Sequence, residues 1–426
     1  MLLASPCSLL GQATPTASLQ PSSIGLNLPT LNGTFQYGLS ASEVVQDGYT
    51  SNGVYAQTSL SGDVAYASKS AVHPFSMLYN GGTQFGPQSG YGTTYYQSLA
   101  LSQAYLTRSW VFGLSDVVSY LPESPTVGLS GIPGTGDLGL NPIQNGLQPS
   151  QDIISIQNNR VSNVTSGSLE RRLDAFTSLS GGASYGILHF FGNGGLDSSQ
   201  TSADVAVNRR LNGRSSASLS ATYGTFNYGT LGNGASFVVK GLSTGYQRQI
   251  SRSLTASASG GPEWISSSSV LSIPSRLTFT AGAGLGYTVR VYNASLSYNR
   301  SITGGAGVQP GGISDTISAT LQRPFGTAWS ASGNAGYAKT QGLTNGPTPA
   351  NLSLLGLTSS GNYDSSYIGA QVSRRLSRSF STYASYTLIN QSYSQVGNAP
   401  IALNGLVQTF ALGISYFPRS LHLGQL

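Results

Sequence analysis

The stretch from Arg276 to Asn299 alternates apolar residues with small polar ones. Its first half places one set of side chains on one parity: Leu277, Phe279, Ala281, Ala283, Leu285, Tyr287 and Val289. Thr and Gly occupy the other parity. Successive side chains of a β-strand point to opposite faces, so this strand has one apolar face and one polar face. The alternation resumes after Arg290 with Tyr292, Ala294, Leu296 and Tyr298, which predicts a hairpin with a very tight turn.

The same hairpin pattern repeats from about Thr34 to a final strand over Leu406–Phe417. Short turns rich in Arg alternate with longer connections rich in Gly, Asn and Ser, such as 302–312 and 340–361. Outer-membrane barrels have this asymmetry, with short periplasmic turns and long external loops. The sequence therefore predicts an all-β fold, a closed antiparallel transmembrane β-barrel.

The predicted strand count depends on one short run. If Pro74–Tyr79 is a wall strand the barrel has 18 strands, and if one N-terminal hairpin stays outside the wall it has 16. Either number is even, which places both termini on the periplasmic side.

Composition excludes the other common classes. Charged residues are 8% of the 426 residues, against roughly a quarter in ordinary globular proteins. Hydrophobic content is 39%, and no apolar run reaches the roughly 18 residues of a transmembrane helix. Aromatic residues at regular alternating positions argue against disorder.

The ends of the chain differ from the repeated pattern. Residues 1–13 have a short apolar core followed by Gly11 and Ala13, which predicts a signal peptide, with a frayed soluble N-terminus as the alternative. We expect a linker over 14–33, the transmembrane barrel over 34–417 and a periplasmic tail over 418–426. The single cysteine, Cys7, lies in the predicted signal peptide, so we expect no disulfide and no thiolate metal site.

Most basic residues lie at or beside the short turns. This predicts a basic rim that attracts anionic headgroups of the outer-membrane lipids, although simple exclusion of charge from the hydrocarbon also places charges at turns. The residues of this predicted rim are Arg108, Arg171, Arg172, Arg209, Arg210, Arg214, Arg248, Arg252, Arg290, Arg323, Arg374, Arg375, Arg378 and Arg419.

Three charged residues fall on the polar parity of their strands and are candidates for lining a pore. Asp63, Asp204 and Arg276 each oppose an apolar face. In a lumen they would tune ion selectivity. The alternative is a solvated polar face on which these charges have no special role.

The longest segment without a strand pattern runs from Leu121 to Asp152. It contains five prolines and the acids Glu123 and Asp137. Loops this long are usually functional or disordered. We expect 121–152 to fold inward as a constriction loop, with Glu123 and Asp137 as further pore-lining candidates, or else to form an external flap.

Little in the sequence favours catalysis. His73, His189 and His422 share no metal-site spacing. Gly282-Ala283-Gly284 lies inside a strand, which argues against a phosphate loop. Only geometry could reveal a Ser-His-Asp triad. We therefore expect no enzyme activity, no cofactor, no metal and no nucleic-acid partner.

From Thr34 to Phe417 the chain resembles the porin-like outer-membrane β-barrels of Gram-negative bacteria. The strand from Phe410 to Phe417 is similar to the signal that the barrel-assembly machinery reads, although Pro418–Leu426 follow it here. The resemblance implies an outer-membrane channel for passive diffusion of small solutes. The alternative is a structural or adhesive barrel with a plugged lumen, filled by 14–33 or 121–152. Association into a homo-oligomer is left open.

Overall fold

The computed structural model describes residues 33–48, 54–68, 70–85, 93–121, 159–191, 196–229, 234–268, 270–271, 273–289, 291–304, 309–343, 362–394, 405–418 and 421–422. The long strands are β1 Thr34–Asp47, β2 Tyr55–Ala67, β3 Phe75–Phe85, β4 Thr94–Leu106, β5 Trp110–Leu121, β6 Asn159–Arg172, β7 Thr177–Phe191, β8 Ser198–Asn212, β9 Ser215–Tyr228, β10 Ser236–Gln249, β11 Leu254–Ser267, β12 Arg276–Val289, β13 Tyr292–Thr303, β14 Gly312–Phe325, β15 Trp329–Gly342, β16 Asn362–Arg375, β17 Phe380–Ser394 and β18 Gly405–Tyr416.

The wall is a closed barrel of 18 antiparallel strands. Each strand pairs with its neighbours in the chain, and β1 also pairs with β18 from Leu39↔Tyr416 to Asp47↔Gln408. A two-residue strand, β19 (Leu421–His422), continues the pairing with the start of β1. The run that begins at Pro74 is the wall strand β3, so the prediction of 18 strands is confirmed and the alternative of 16 is not.

Burial follows the predicted parity. On β12, Leu277 and Phe279 are 51% and 61% exposed, whereas Thr278 and Thr280 are 9% and 5% exposed. The apolar side chains therefore cover the outside of the wall, and the hydroxyl-bearing ones face the interior. Among the described residues, no helix is long and apolar enough to span a membrane.

Three arginines of the predicted basic rim stack on aromatic rings at the short-turn end of the barrel. The guanidinium groups of three outward-facing arginines lie over aromatic rings of neighbouring residues, with the guanidinium carbon 4.7–5.1 Å from the ring centroid: Arg171 over Trp110, Arg323 over Phe325 and Arg374 over Trp329. A cation above an aromatic face is stabilised by the ring quadrupole. Trp and Tyr favour the membrane–water interface, so these stacked pairs mark that boundary.

Three short turns share one construction. Asp174 Oδ1 accepts hydrogen bonds from the backbone N–H groups of Phe176 (2.6 Å) and Thr177 (2.7 Å). Ser251 and Ser377 use their hydroxyls in the same way in the β10–β11 and β16–β17 turns. The hydrogen bond from Phe176 holds the pKa of Asp174 below its usual value, because it favours the ionised carboxylate.

An apolar cluster lies at the long-loop end of β9, β10 and β11. It joins residues of β9, β10, β11 and β14 to residues of the connections that follow β7, β9, β11 and β15, and Tyr228 donates a hydrogen bond to the Gly304 carbonyl (2.8 Å). Its members are Leu196, Phe226, Tyr228, Ala235, Phe237, Val239, Ile265, Leu271, Ile273, Ile313 and Leu343. One side of the long-loop mouth is therefore packed with apolar side chains rather than open to water.

Candidate functional site in the barrel lumen

The inner face of the wall is lined mainly by hydroxyl groups. Serines and threonines on adjacent strands face each other across the pairs and form hydroxyl-to-hydroxyl hydrogen bonds, most of them 2.6–2.7 Å long. The inward pairs are Ser40–Ser61, Ser98–Ser119, Ser115–Ser166, Ser184–Ser202, Ser220–Ser243, Ser295–Thr320, Ser297–Ser318 and Ser330–Ser373.

Inner-face glycines make room for these hydroxyls. A Cβ at Gly282 would lie 2.7 Å from Ser259 Oγ, and one at Gly284 would lie 2.7 Å from Ser257 Oγ. The serine side chains thus lie flat across the neighbouring strand instead of reaching into the lumen. Glycine inside a strand commonly marks such a close approach of a neighbouring group.

Asp204 lies in a row that crosses five strands. Going from β7 to β11, the register aligns Gly182, Asp204, Thr222, Gly241 and Glu263. All five are on the inward parity. Asp204 is half-buried, with Oδ1 2.7 Å from the position that a Cβ at Gly182 would occupy. Glu263 is only 6% exposed.

Arg276 belongs to the same wall. It is paired with Ile265, so it lies two residues beyond Glu263 toward the long-loop end, on the neighbouring strand β12. Its Nε atom is buried and has no hydrogen-bond partner among the residues that the structure describes. The structure therefore brings Asp204 and Arg276 onto one side of the lumen.

Asp63 lies half-way around the barrel from that wall. It is on β2, is 3% exposed and accepts a hydrogen bond from Asn80 Nδ2. Asp63 is therefore part of a buried polar contact on the wall rather than a neighbour of Asp204. Glu123 and Asp137 lie outside the described residues, as do the predicted signal peptide and nearly all of the 14–33 linker.

Glu263 was not predicted as a lumen residue, although the sequence carries the signal. Its parity matches Ser259 and Gly261 and opposes Trp264, which is 47% exposed on the outer face. Arg160, near the long-loop end of β6, was also missed. It is 3% exposed and faces inward in the same alternating pattern.

Exposure of the inner wall is uneven. The inward residues of β18, β1 and β2 are buried, including Ser415, Ser42 and Ser59, whereas Ser257 and Ser297 on β11 and β13 are exposed. Two tyrosine rings flank the buried sector: Tyr96 packs on Gly82, and Tyr383 packs on Gly413. The sector contains the seam where β1 and β18 close the barrel.

The described histidines make local contacts. His189 points outward, its Nδ1 is 2.8 Å from Asp197 Oδ2, and its ring meets the edge of Phe191. His73 stacks on Tyr105 with ring centroids 4.6 Å apart. Within the described ranges, no three His, Cys, Asp or Glu side chains are grouped in a way that could hold a metal ion.

A closed wall with apolar side chains outside and hydroxyls inside fits only a bilayer-spanning chain. Every backbone group of such a wall is paired without an open edge, as hydrocarbon requires. The architecture is that of a transmembrane β-barrel. On β12, for example, Leu277 lies on the lipid face of the wall and Thr278 lies on the inner face.

Comparison with solved structures finds distant likenesses that extend over most of this chain. The siderophore receptor PirA from Acinetobacter baumannii is 7% identical, with 91% of this chain and 81% of that chain covered and a TM-score of 0.45. OccK2 (OpdF) from Pseudomonas aeruginosa, in complex with glucuronate, is 11% identical, with 91% of this chain and 98% of that chain covered and a TM-score of 0.45. The outer membrane protein OpdK from Pseudomonas aeruginosa is 10% identical, with 92% of this chain and 99% of that chain covered and a TM-score of 0.45. No protein-family model and no curated protein sequence matches this chain.

Proposed function

We propose that the protein is an outer-membrane channel through which small polar solutes diffuse passively. The inner face of the wall supports this proposal, because the hydroxyl-bearing side chains and glycines that line it are too small to fill a barrel of 18 strands by themselves. Side chains fill the interior of barrels of about eight strands, whereas barrels of about 16–18 strands leave an aqueous channel. Serine and threonine hydroxyls both donate and accept hydrogen bonds, so this wall suits neutral hydrophilic solutes such as sugars.

Liposome swelling tests this proposal. Vesicles that contain the refolded barrel should swell in arabinose, glucose and sucrose at rates that fall as the sugar becomes larger. Heat-modifiable migration on a gel would confirm that the barrels are folded. Folded barrels that give no swelling and no conductance in planar bilayers would instead support a structural or adhesive barrel with a plugged lumen.

The connection between β5 and β6 is proposed as the constriction of this channel. Residues 122–158 lie outside the described residues, so the support comes from the wall. The inner faces of β18, β1 and β2 are buried although they face the lumen, and the connection is long enough to reach them. If Glu123 and Asp137 lie at the constriction, they would set its ion selectivity.

Deletion of Gly128–Gly146 should raise the single-channel conductance of the assembled barrel, because the constriction would be removed. The measurement is planar-bilayer recording of both proteins under the same salt. The matched control shortens the β15–β16 connection, another long loop, by deletion of 346–357. Unchanged conductance in a correctly folded Gly128–Gly146 deletion would place this loop outside the pore.

Recognition by the barrel-assembly machinery stays a prediction, based on the last long strand. β18 places Phe410, Leu412, Ile414 and Tyr416 on its outer face, and Tyr416 packs on Phe380 with ring centroids 5.0 Å apart. The outward aromatic that ends the strand is therefore Tyr416. We propose that the machinery reads this row.

A further inference from the structure

Glu263 is a charged side chain on the lumen wall with no partner among the described residues. It is 6% exposed, and neither a hydrogen bond nor an ion pair joins its carboxylate to any described group. A buried carboxylate without a partner is costly, and a cation that reaches it relieves that cost. The position is therefore suited to a positively charged ligand that enters from the lumen.

The space beside Glu263 is shaped by Gly241. A Cβ at Gly241 would lie 2.9 Å from Glu263 Cγ, 3.1 Å from Glu263 Oε1 and 2.6 Å from Thr222 Oγ1. The carboxylate of β11 and the hydroxyl of β9 therefore converge above the bare backbone of β10. A Cβ at position 241 would therefore collide with Thr222 and Glu263 and displace their side chains from this cradle of oxygens.

Asp204 extends the acidic surface on the far side of Thr222, its direct cross-strand neighbour. Among the described residues, no ion pair joins Arg276 to Glu263 or Asp204. The row thus places two carboxylates, with a hydroxyl between them, on the inner face of the wall, Asp204 half-buried and Glu263 buried.

We propose that the row of Asp204, Thr222 and Glu263 over Gly241 binds solutes that carry a primary ammonium group. An ammonium has three N–H donors and no acceptor, which matches a cradle made of oxygen acceptors. Charge-assisted hydrogen bonds to carboxylate are stronger than neutral ones. The inference rests on the proposed channel function and gives that channel a preference for organic amines.

Current block by butylammonium chloride tests the site, with butanol as the neutral probe of similar shape. Butylammonium should reduce the current through the refolded full-length barrel, and butanol should not. Glu263→Gln should raise the half-blocking concentration about tenfold or more, because it removes a charged hydrogen-bond partner. Asp204→Asn should raise it less.

Gly241→Ala tests whether the block depends on the arrangement of Glu263 and Thr222 or only on the negative charge of the wall. It keeps both carboxylates, but its Cβ would displace the Glu263 and Thr222 side chains from their positions over residue 241, so it should weaken the block as Glu263→Gln does. Asp364→Asn is the matched control, because Asp364 lies on the outer face of the wall near the long-loop end of β16. There it accepts a hydrogen bond from the Tyr337 hydroxyl. This control removes the same charge and should leave the block unchanged.

Block that is unchanged in Glu263→Gln, or equal block by butylammonium and butanol, would overturn the site. Loss of block in Glu263→Gln but not in Gly241→Ala would mean general electrostatics and would also overturn it. If the folded barrel does not conduct, the channel proposal fails by itself. Calorimetric titration of the detergent-solubilised barrel with butylammonium then tests the site, and binding by the wild type that Glu263→Gln abolishes would support it.

Discussion

Replacing Leu296 by Arg should destabilise the folded barrel by about 2–4 kcal/mol, the cost of Arg on the lipid face near the middle of a bilayer. Leu296 lies in the middle of β13, faces outward and is 47% exposed, between Leu285 on β12 and Ala319 on β14. Its exposed surface meets hydrocarbon, which cannot solvate a guanidinium. The measurement is the free energy of unfolding in lipid vesicles, from guanidinium titrations followed by tryptophan fluorescence.

Ser297→Arg is the matched control for that substitution. Ser297 is the next residue on the same strand, points into the lumen and shares a 2.6 Å hydroxyl hydrogen bond with Ser318. Water can replace that bond and can hydrate an arginine in the lumen. We expect a change within about 0.5–1 kcal/mol, as for an ordinary surface substitution. Equal losses for the two variants would contradict the assignment of the two faces.

The two faces were predictable because the environment changes at every residue. Phe279 must meet lipid and Thr280 must meet water, and the chain satisfies both with a period of two. No long-range information is needed for that pattern. The same parity identified Asp204 and Arg276 as inward residues, and in the structure both lie on the inner face of the wall; their role in a pore stays a prediction.

The strand count was harder to predict, because β3 carries a weak local pattern. After Tyr79 the alternation is interrupted by Asn80, Gly81 and Gly82, so the local sequence does not distinguish a strand from a loop here. In the barrel the ring of Tyr96 on β4 packs over Gly82. A side chain from another strand thus fills the position that the local sequence leaves empty, and no local pattern contains that contact.

The lumen site required register as well as parity. Parity alone predicts that Glu263 and Thr222 lie on the inner face. That their side-chain oxygens meet above one glycine follows only from the register, in which Gly241 pairs with both residues. Register is set by the cooperative closure of the sheet, which the sequence of one hairpin does not specify. The roles of Glu123 and Asp137 stay predictions for a related reason, since their segment has no period from which a position can be derived.

At Gly261 the packing of two neighbouring strands leaves no space for a side chain. The pairing of β10 with β11 is interrupted between Gly241↔Glu263 and Thr244↔Gly260. Leu242 and Ser243, which lie between these two pairs, are not paired with β11. Pro262 lies opposite this gap and has no N–H to donate. A Cβ at Gly261 would overlap the Leu242 carbonyl oxygen and lie 2.7 Å from Ser243 Cα. The neighbouring backbone therefore occupies the space of any side chain.

Gly261→Ala should consequently destabilise the barrel by about 1–3 kcal/mol, the usual cost of overpacking a site that cannot relax. The strand β10 would have to move away from β11, which would strain the ladder on both sides of Pro262. Gly286→Ala is the control: it is also an inner-face strand glycine, but a Cβ there would meet only Thr255 Oγ1, at 2.9 Å, and that hydroxyl can rotate away. We expect Gly286→Ala to unfold at nearly the wild-type guanidinium concentration. If both variants unfolded at the wild-type concentration, the close approach of β10 to Gly261 would be wrong.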